Sequence, residues 1–381
     1  RCQTIRRRGL AGRKPLRIMG LAVAAGLVFG GVGAQGATVD HAIFSPKAPS
    51  RVRSPDAERT ALIARADAGL ARPPAPLGTI HIEGTLPGKG IHDASRIALQ
   101  DMPVARDLAL AWRLTGKTVY LKAAERYILA WATTYQSAFN PIDETGFDAL
   151  IMAYDLTERN LAPATRRAMD DLLRRLATGY LDRMESGKVV PPQTLTNNWQ
   201  SHRVKLATLA AFQLGDPALI ARARQAYEKQ IAANLRPDGS VMDFAMRDAL
   251  HYVVFTLEPL SVSAYAAKAH GQDWYGYTAP SGASLARSLD WLAAFARGEK
   301  THIEFANSVV PFDRQRREAG VAGFANTAWQ PAESTVLFTI ASLLDPRFAD
   351  LARRLPVFEA RDDGDTLSAW RLLMPASAKR R

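Results

Sequence analysis

The sequence predicts an all-α fold, an incomplete (α/α) toroid or barrel built from antiparallel helical hairpins. Three observations predict it: long segments with apolar residues at helical spacing from Ala98 onward, short polar turns between them, and little strand-like alternation. The best strand candidate, residues 79–84, is short. A series of helical hairpins forms either a compact bundle or a toroid around a groove, and we favour the toroid.

Two pairs of helices define the repeating unit. Each pair is joined by a two-residue turn that begins with glycine, the residue that most readily follows a helix C-terminus. The pairs are residues 100–115 with 118–135 and residues 198–214 with 217–234. Because no fixed period relates the pairs, a regular solenoid is not predicted.

The first 36 residues have the three parts of an export signal. A basic segment without acidic residues precedes an apolar run over residues 19–32, and small residues follow at Ala34 and Gly36. We predict cleavage near residue 36 and a periplasmic or secreted protein, with an N-terminal membrane anchor as the alternative. Residues 37–78 are predicted to be an extended segment, and residues 79–381 to form the toroid domain.

The net charge of +12 is concentrated in the predicted signal, which carries seven lysines and arginines, so +5 remains on the rest. That charge is too small to indicate a nucleic-acid partner and suits an anionic polymer. Cys2, the single cysteine, also lies in the signal. The remaining chain therefore depends on core packing rather than on disulfides. We expect a monomer without stable membrane association after cleavage.

Several common catalytic motifs are absent from the sequence. It has no G-x-S-x-G, H-E-x-x-H, Walker or dinucleotide-binding glycine motif, and no cysteine and histidine cluster with zinc spacing. We therefore expect neither a metal nor a cofactor. Any chemistry has to come from ordinary polar side chains.

The segment TNNWQSH, residues 196–202, is unusually polar for the start of an apolar helix. One Ser, Thr, Asp or Asn is enough to cap a helix. On a helix that begins near Asn197, the side chains of Asn198, Trp199 and His202 face one way. Backbone N–H groups at a helix N-terminus favour an anion, and an indole offers a flat face to a sugar ring. The segment predicts one wall of a carboxylate-binding groove; the alternative is a simple cap with a buried tryptophan.

A second polar cluster follows the turn at residues 237–239 and contains Arg247, His251 and Tyr252. On one continuous helix Arg247 and Tyr252 would diverge by about 140°, at ~100° per residue. We therefore predict that Arg247 lies on a connecting turn, or that the helix begins near Asp248, so that the two side chains can converge.

An amide, a guanidinium, an imidazole and a phenol form a suitable set for β-elimination on a polyuronate. Asn198, Arg247 and His202 would neutralise the C6 carboxylate and stabilise the enediolate that forms when C5 loses its proton. Tyr252, with a pKa lowered by nearby cationic charge, would take that proton and return it to the C4 oxygen. One residue can serve both steps when H5 and O4 lie on the same side of the ring, as in mannuronate and glucuronate. For guluronate, His202 is the more natural base.

Three stretches resemble the alginate lyase domain family, whose members are helical toroids that cleave poly-mannuronate, and the related glucuronan lyases. The stretches are NPIDETGFDALIMAYDLT (residues 140–157), TNNWQSH (196–202) and RDALHYVVFTLEPL (247–260). The resemblance implies a catalytic set of an Asn next to a His, then an Arg and a Tyr on a later segment, and Asn198 and Tyr252 match in place. Trp199 stands where the family has the His, so that role moves to His202. The Arg to Tyr spacing is also shorter than in mannuronate enzymes, which indicates a divergent member acting on mannuronan or glucuronan.

Six further residues are predicted to contact the substrate. They are Asn197, Trp199, His251, Lys89, His92 and Arg96. The last three lie in a glycine-flanked basic loop over residues 86–96 that is suited to cover a groove. Arg203 and Lys205 are expected to face solvent, and Asp143 and Glu144 to lie at a helix start.

Two other function classes stay open. If Asp143 and Glu144, or Asp248, acted as paired carboxylates, the protein would be a glycoside hydrolase whose products lack a double bond. A non-catalytic periplasmic protein that holds an acidic polysaccharide would bind the polymer without shortening it. We favour a lyase whose partner is an acidic polysaccharide.

Overall fold

A computed structural model describes residue 43 and residues 56–321, 323–357 and 363–372. The predicted signal peptide and its cleavage site lie outside these residues. The described part contains fifteen α-helices, four short 3-10 helices, three isolated β-bridges and no strand. The protein is therefore all-helical there, as predicted, and residues 79–84 do not form the strand that their alternation suggested.

The helices follow one another with short connections. In chain order they are α1 (Asp56–Ala71), α2 (His92–Leu99), α3 (Asp101–Thr115), α4 (Thr118–Thr134), α5 (Phe147–Thr157), α6 (Pro163–Ser186), α7 (Asn198–Leu214), α8 (Pro217–Asn234), α9 (Met242–Arg247), α10 (Leu250–Ala269), α11 (Leu285–Ala296), α12 (Pro311–Glu318), α13 (Thr335–Leu344), α14 (Ala349–Arg354) and α15 (Asp363–Arg371).

Both predicted hairpins are confirmed as α3 with α4 and α7 with α8, and the members of each pair pack together. Gly116 and Gly215 end the first helix of each pair with φ of 71° and 59°, a left-handed conformation that glycine adopts without strain. Asp216 then caps α8, because its carboxylate accepts the N–H groups of Ala218 and Leu219.

The prediction of an extended segment over residues 37–78 is wrong for α1. This helix packs against α3 and α4. The Tyr120 hydroxyl donates to Asp67 at 2.6 Å, and Arg65 Nε donates to Asp107 at 2.7 Å. Alanine and arginine have high helix propensity, but their mixture gives a weak amphipathic pattern. The helix is therefore fixed mainly by its tertiary contacts.

Six helices contact one another in a ring. The order of contact is α3, α5, α7, α10, α13 and α15, and α15 returns to α3. α4, α6, α8, α11 and α14 pack against members of this ring. The ring helices are more buried than the helices packed against them. In α7, 15 of the 17 residues are buried, whereas in α4 only 7 of the 17 residues are. A helix buried around its whole circumference lies in the interior, so the ring is the inner layer of an α/α toroid.

No helix in the described part of the chain is long and apolar enough to cross a membrane.

Asp243 on α9 joins four helices around the end of the toroid that carries the candidate site. Its carboxylate accepts the Asn198 amide nitrogen of α7 at 2.6 Å, the Asn234 amide nitrogen of α8 at 2.8 Å and the Thr256 hydroxyl of α10 at 3.0 Å. Asp243 is 2% exposed. Buried polar groups are costly when they lose their partners, so this carboxylate fixes α9 and α10 against α7.

Replacing Asp243 by alanine should lower the free energy of unfolding by about 3 kcal/mol or more, since four buried donors, including the Asn198 backbone N–H, would lose their acceptor. Urea unfolding followed by circular dichroism measures this loss. Asp350→Ala is the control, because the exposed ion pair of Asp350 with Arg354 contributes at most about 1 kcal/mol. Equal stability of the two variants would contradict the role given to Asp243.

Candidate active site

A cavity of about 710 Å³ opens between α2, α10, α12 and two connecting segments. One segment covers residues 82–87, and the other is the turn that precedes α5. The polar and aromatic side chains of its lining are those of Glu83, Thr85, His92, Asp93, Arg96, Asp143, Thr145, His251, Tyr252, Phe255, Phe312, Arg316 and Phe324. The lining therefore combines several groups that can be positively charged with aromatic rings and a phenol.

The predicted convergence of Arg247 and Tyr252 is confirmed. α9 ends at Arg247, and α10 begins at Leu250 after a break at Asp248, whose φ of 48° is left-handed. Two hydrogen bonds from Asn307 to the Asp248 carboxylate hold this conformation. The break turns the guanidinium carbon of Arg247 to 3.5 Å from the centre of the Tyr252 ring.

The charge of Arg247 is already compensated by Asp313 on α12. Arg247 Nε donates to Asp313 Oδ2 at 3.0 Å, and its Nη2 donates to Oδ1. Ser308 also donates to this carboxylate, which is nearly fully buried. Arg247 is thus a paired cation that supports one face of the phenol ring.

Arg316 is not among the residues predicted from the sequence, yet it lines the cavity together with Tyr252. Its guanidinium carbon lies 4.1 Å from the ring centre of Phe312 and 4.8 Å from that of Phe324. Among the described residues it makes neither an ion pair with a carboxylate nor a side-chain hydrogen bond, although its charge interacts at longer range with that of Glu83 in the same lining. Stacking on two aromatic rings holds a guanidinium in place while leaving its donors open to a ligand.

Tyr252 is protonated at neutral pH, because burial raises its pKa to about 12. Arg247 and Arg316 act in the opposite direction, whereas Asp313 and Asp243 raise the pKa further. The prediction of a lowered pKa is therefore wrong, since desolvation outweighs both cations. In the described part of the chain the phenol hydroxyl has no hydrogen-bond partner, and the residue lines the cavity.

Asn197, Asn198 and Trp199 are not part of the lining of this cavity. Asn197 is the N-cap of α7, and its side chain accepts the Trp199 N–H at 3.0 Å. Asn198 is 2% exposed and is held by Asp243. The Trp199 ring is half-buried and lies 5.9 Å from the Arg203 guanidinium carbon. The polar side chains at this helix start are thus engaged largely in contacts within the protein.

His202 lies one layer behind the cavity wall. Its ring centre is 4.2 Å from that of Phe255, which lines the cavity, and its Nδ1 is 2.7 Å from the Thr145 hydroxyl. Burial holds the pKa of His202 well below its usual value, the charge of Lys205 adds to this effect, and the Phe255 backbone opposes it. Nε2 completes no hydrogen bond of good geometry with any described residue. His202 is consequently a neutral imidazole at pH 7.

Arg203 and Lys205 are both buried, so the prediction that they face solvent is wrong. Arg203 donates to the carbonyl and the hydroxyl of Thr194, and burial lowers its pKa to about 10. Lys205 Nζ donates to the Thr145 carbonyl and hydroxyl and to Asp148. Because α7 belongs to the inner ring, all of its faces are covered, which no helical period in the sequence can show.

The prediction of a loop over residues 86–96 is wrong for its second half, because α2 begins at His92, but two of the three predicted residues reach the cavity. His92 and Arg96 line it, and Lys89 is exposed outside the lining. His92 Nδ1 lies 2.6 Å from the Asp93 carboxylate, which also accepts the Gly88 N–H. His251 lines the cavity as well, with its ring edge-on to Tyr252 and its Nδ1 3.5 Å from the Glu333 carboxylate.

Asp143 and Glu144 would be the catalytic carboxylates of a hydrolase. In this protein both accept hydrogen bonds from neighbouring groups of the chain. They lie in the turn before α5. Glu144 accepts the hydroxyls of Tyr135, Tyr180 and Ser137. Asp143 accepts two backbone N–H groups and faces the imidazole of His81. Their oxygens are saturated by protein donors, which does not favour a pair of catalytic carboxylates.

Glu304 caps the helix that carries the phenol. Its carboxylate accepts the N–H groups of Leu250 and His251 at 2.7 and 3.1 Å. Burial raises the pKa of Glu304 to about 7, with smaller increases from Glu333 and Asp248 and decreases from the two backbone donors.

Glu304 should make stability depend on pH. The folded protein holds this proton more tightly than the unfolded chain, whose glutamate titrates near 4.5, so the stabilisation is present at low pH and is lost as pH rises through about 7. The loss amounts to about 3 kcal/mol. Unfolding in urea at pH 5 and pH 8 should show that the wild type loses this much relative to Glu304→Gln. A difference between the two proteins that does not change with pH would contradict the shifted pKa.

No group of three or more His, Cys, Asp or Glu side chains in the described ranges is arranged to hold a metal ion.

Two solved structures share this architecture. One is an alginate lyase from Bacteroides ovatus, 18% identical, with a TM-score of 0.59 over 82% of this chain and 92% of that chain. The other is alginate lyase A1-III from Sphingomonas species A1, 18% identical, with a TM-score of 0.57 over 89% of this chain and 98% of that one. A comparison with curated protein sequences gives no match. At these identities the two structures show the fold alone, an α/α toroid.

The sequence also matches the family model "Alginate lyase" over residues 50–302, more than half of the chain. The chain belongs to the alginate lyase family. It is an enzyme, a polysaccharide lyase.

Proposed function

We propose that the protein cleaves an acidic polyuronate, mannuronan (alginate) or glucuronan, by metal-independent β-elimination. One observation carries this proposal. The Tyr252 phenol lies in a cavity with Arg316, a guanidinium that has no carboxylate partner among the described residues. Removing a proton from the carbon next to a carboxylate requires a base. It also requires a cation that is free to bind that carboxylate.

Arg316 binds the C6 carboxylate of the sugar at the cleavage point, with Arg96, which also lines the cavity, as a second cation. Neutralising the carboxylate makes the C5 proton more acidic, and the guanidinium stabilises the enediolate. Arg247 contacts the phenol ring of Tyr252, and Asp313 balances the charge of Arg247. Arg247 therefore holds the phenol in place rather than binding the carboxylate. The role that the sequence assigns to Arg247 thus passes in large part to Arg316.

The phenolate of Tyr252 takes the C5 proton. The electrons of that C–H bond form the C4–C5 double bond as the C4–O bond breaks, and the phenol returns its proton to the departing C4 oxygen. The pKa of about 12 makes the phenolate scarce at neutral pH. Burial raises this pKa, and the charges of Arg247 and Arg316 oppose the rise. Because one residue serves both steps, the proposal favours mannuronate or glucuronate over guluronate.

Asn198 and His202 are proposed to position the site rather than to touch the sugar. Asn198 donates a hydrogen bond to Asp243. Asp243 also accepts the Thr256 hydroxyl and so holds α10, the helix that carries Tyr252. His202 contacts Phe255 and the hydroxyl of Thr145, and both residues line the cavity. His92 and His251 also line the cavity and are proposed to donate hydrogen bonds to sugar hydroxyls.

The test is to incubate the protein with mannuronan, glucuronan, guluronan and hyaluronan and to record ultraviolet absorbance together with reducing ends. A lyase produces both signals in parallel, with the first two polymers as the expected substrates. New reducing ends without absorbance would indicate a hydrolase, and binding without either signal would indicate a polysaccharide-binding protein.

We further propose that the enzyme is exported and acts as a monomer. The basic segment and apolar run of residues 1–36 support export. The intact mass of the exported protein tests cleavage near residue 36, and light scattering tests the monomer.

A further inference from the structure

We propose that a second cavity beside the first binds the carboxylate of another uronate residue in the same polymer. The proposal rests on the proposed function. This second cavity has a volume of about 460 Å³, and its polar lining residues are Thr79, His81, Asn140, Asp143, Arg183 and Lys188.

Two cations of the second cavity are open to a ligand. The guanidinium carbon of Arg183 lies 3.7 Å from the centre of the Phe139 ring, and its Nη1 donates to the Gly179 carbonyl. Lys188 is exposed to solvent. In the described ranges neither makes an ion pair with a carboxylate. Stacking on Phe139 keeps the guanidinium at the cavity without neutralising it.

The carboxylate that lines this cavity does not cancel that charge. Asp143 is 3% exposed, and its oxygens accept the N–H groups of Ile82 and Glu83 and face His81 Nδ1 at 3.0 Å. Both of its oxygens are therefore already engaged by groups of the protein. The His81 side chain is 51% exposed, so its other ring nitrogen is available to a ligand. Because His81 Nδ1 donates to Asp143, Nε2 of a neutral His81 is an acceptor, and the donors that remain open to an anion are those of Arg183 and Lys188.

The two cavities are adjoining parts of one surface. Asp143 lines both, and consecutive stretches of one segment supply residues 79–81 to the second and residues 82–87 to the first. Since the two cavities share Asp143 and this segment, a polymer held at Tyr252 is proposed to reach the second cavity across residues 79–87. A polymer with a carboxylate on every sugar fits two adjoining cationic cavities better than a small free anion does.

Affinity measured against chain length tests this proposal. Arg183→Ala, Lys188→Ala and Lys188→Glu are made in a Tyr252→Phe background, so that oligomers are not cleaved, and titrated calorimetrically with uronate oligomers of increasing length. We expect each alanine variant to weaken binding of the longer oligomers about tenfold, Lys188→Glu to weaken it more, and all variants to bind the shortest oligomer as the parent does. Lys229→Ala on α8 is the control and should match the parent at every length.

Unchanged affinity for long oligomers, or an equal loss at all lengths, would overturn the second site. The lyase assay on the wild-type protein separates the two proposals. If the wild type cleaves a polyuronate but the Arg183 and Lys188 variants bind oligomers unchanged, only the second site is ruled out. If the protein neither cleaves nor binds any oligomer, the proposed function and the second site are ruled out together.

Discussion

Replacing Tyr252 by phenylalanine should reduce kcat on the cleaved polyuronate by about 10³–10⁴, because the substitution removes the group that accepts the C5 proton and then protonates the C4 oxygen. The ring and its contacts with Arg247 and Phe305 are retained. Since the hydroxyl has no hydrogen-bond partner among the described residues, its loss should leave stability nearly unchanged. The rate of appearance of ultraviolet absorbance measures the effect, and urea unfolding checks the fold.

Tyr277→Phe is the matched control, because it removes a phenol hydroxyl outside the cavity and should keep wild-type activity. Retention of most activity by Tyr252→Phe would remove this residue from the mechanism. An equal loss in both variants would point to a general effect of losing a hydroxyl rather than to proton transfer at the cavity.

Replacing Arg316 by alanine should reduce kcat/KM by about 10²–10³, the usual cost of losing one donor that stabilises a developing oxyanion. The same substitution should also change the pH profile. Arg316 opposes the rise in the pKa of Tyr252, so the wild-type rate should increase with pH as the phenolate becomes more abundant, and the variant should need a higher pH to reach the same fraction of its maximum.

Two further variants separate the charge of Arg316 from its position. Arg316→Lys keeps the charge and should recover part of the activity, although lysine lacks the planar group that stacks on Phe312 and Phe324. Arg314→Ala on the same helix removes an exposed arginine outside the lining and should have little effect. If Arg314→Ala matched Arg316→Ala, the general positive charge of α12 would be the cause, and Arg316 would have no specific role.

The elements that the sequence predicted well depend on local chemistry. Apolar residues at helical spacing and a glycine after the last turn determine where a helix lies and ends, so α7 and α8 have the predicted bounds. The convergence of Arg247 and Tyr252 was predictable for a similar reason. Five residues on a continuous helix place two side chains on different faces, so a contact between them requires a break, which occurs at Asp248.

The elements that the sequence did not predict depend on which surfaces become covered. α7 is surrounded by other helices, so Arg203, Lys205 and His202 are buried although their pattern suggested an exposed polar face. α12 carries three arginines within four residues, and only the packing of Phe312 and Phe324 around Arg316 distinguishes it from the other two.

The sequence by itself determined the all-helical class, the hairpins and the position of a phenol next to a guanidinium, because these follow from spacing along one chain. Only the tertiary structure decided which cations remain unpaired and what the pKa of Tyr252 is. Both depend on the desolvation and on the charges that distant segments bring together: Asp313 neutralises Arg247, and burial raises the phenol pKa to about 12.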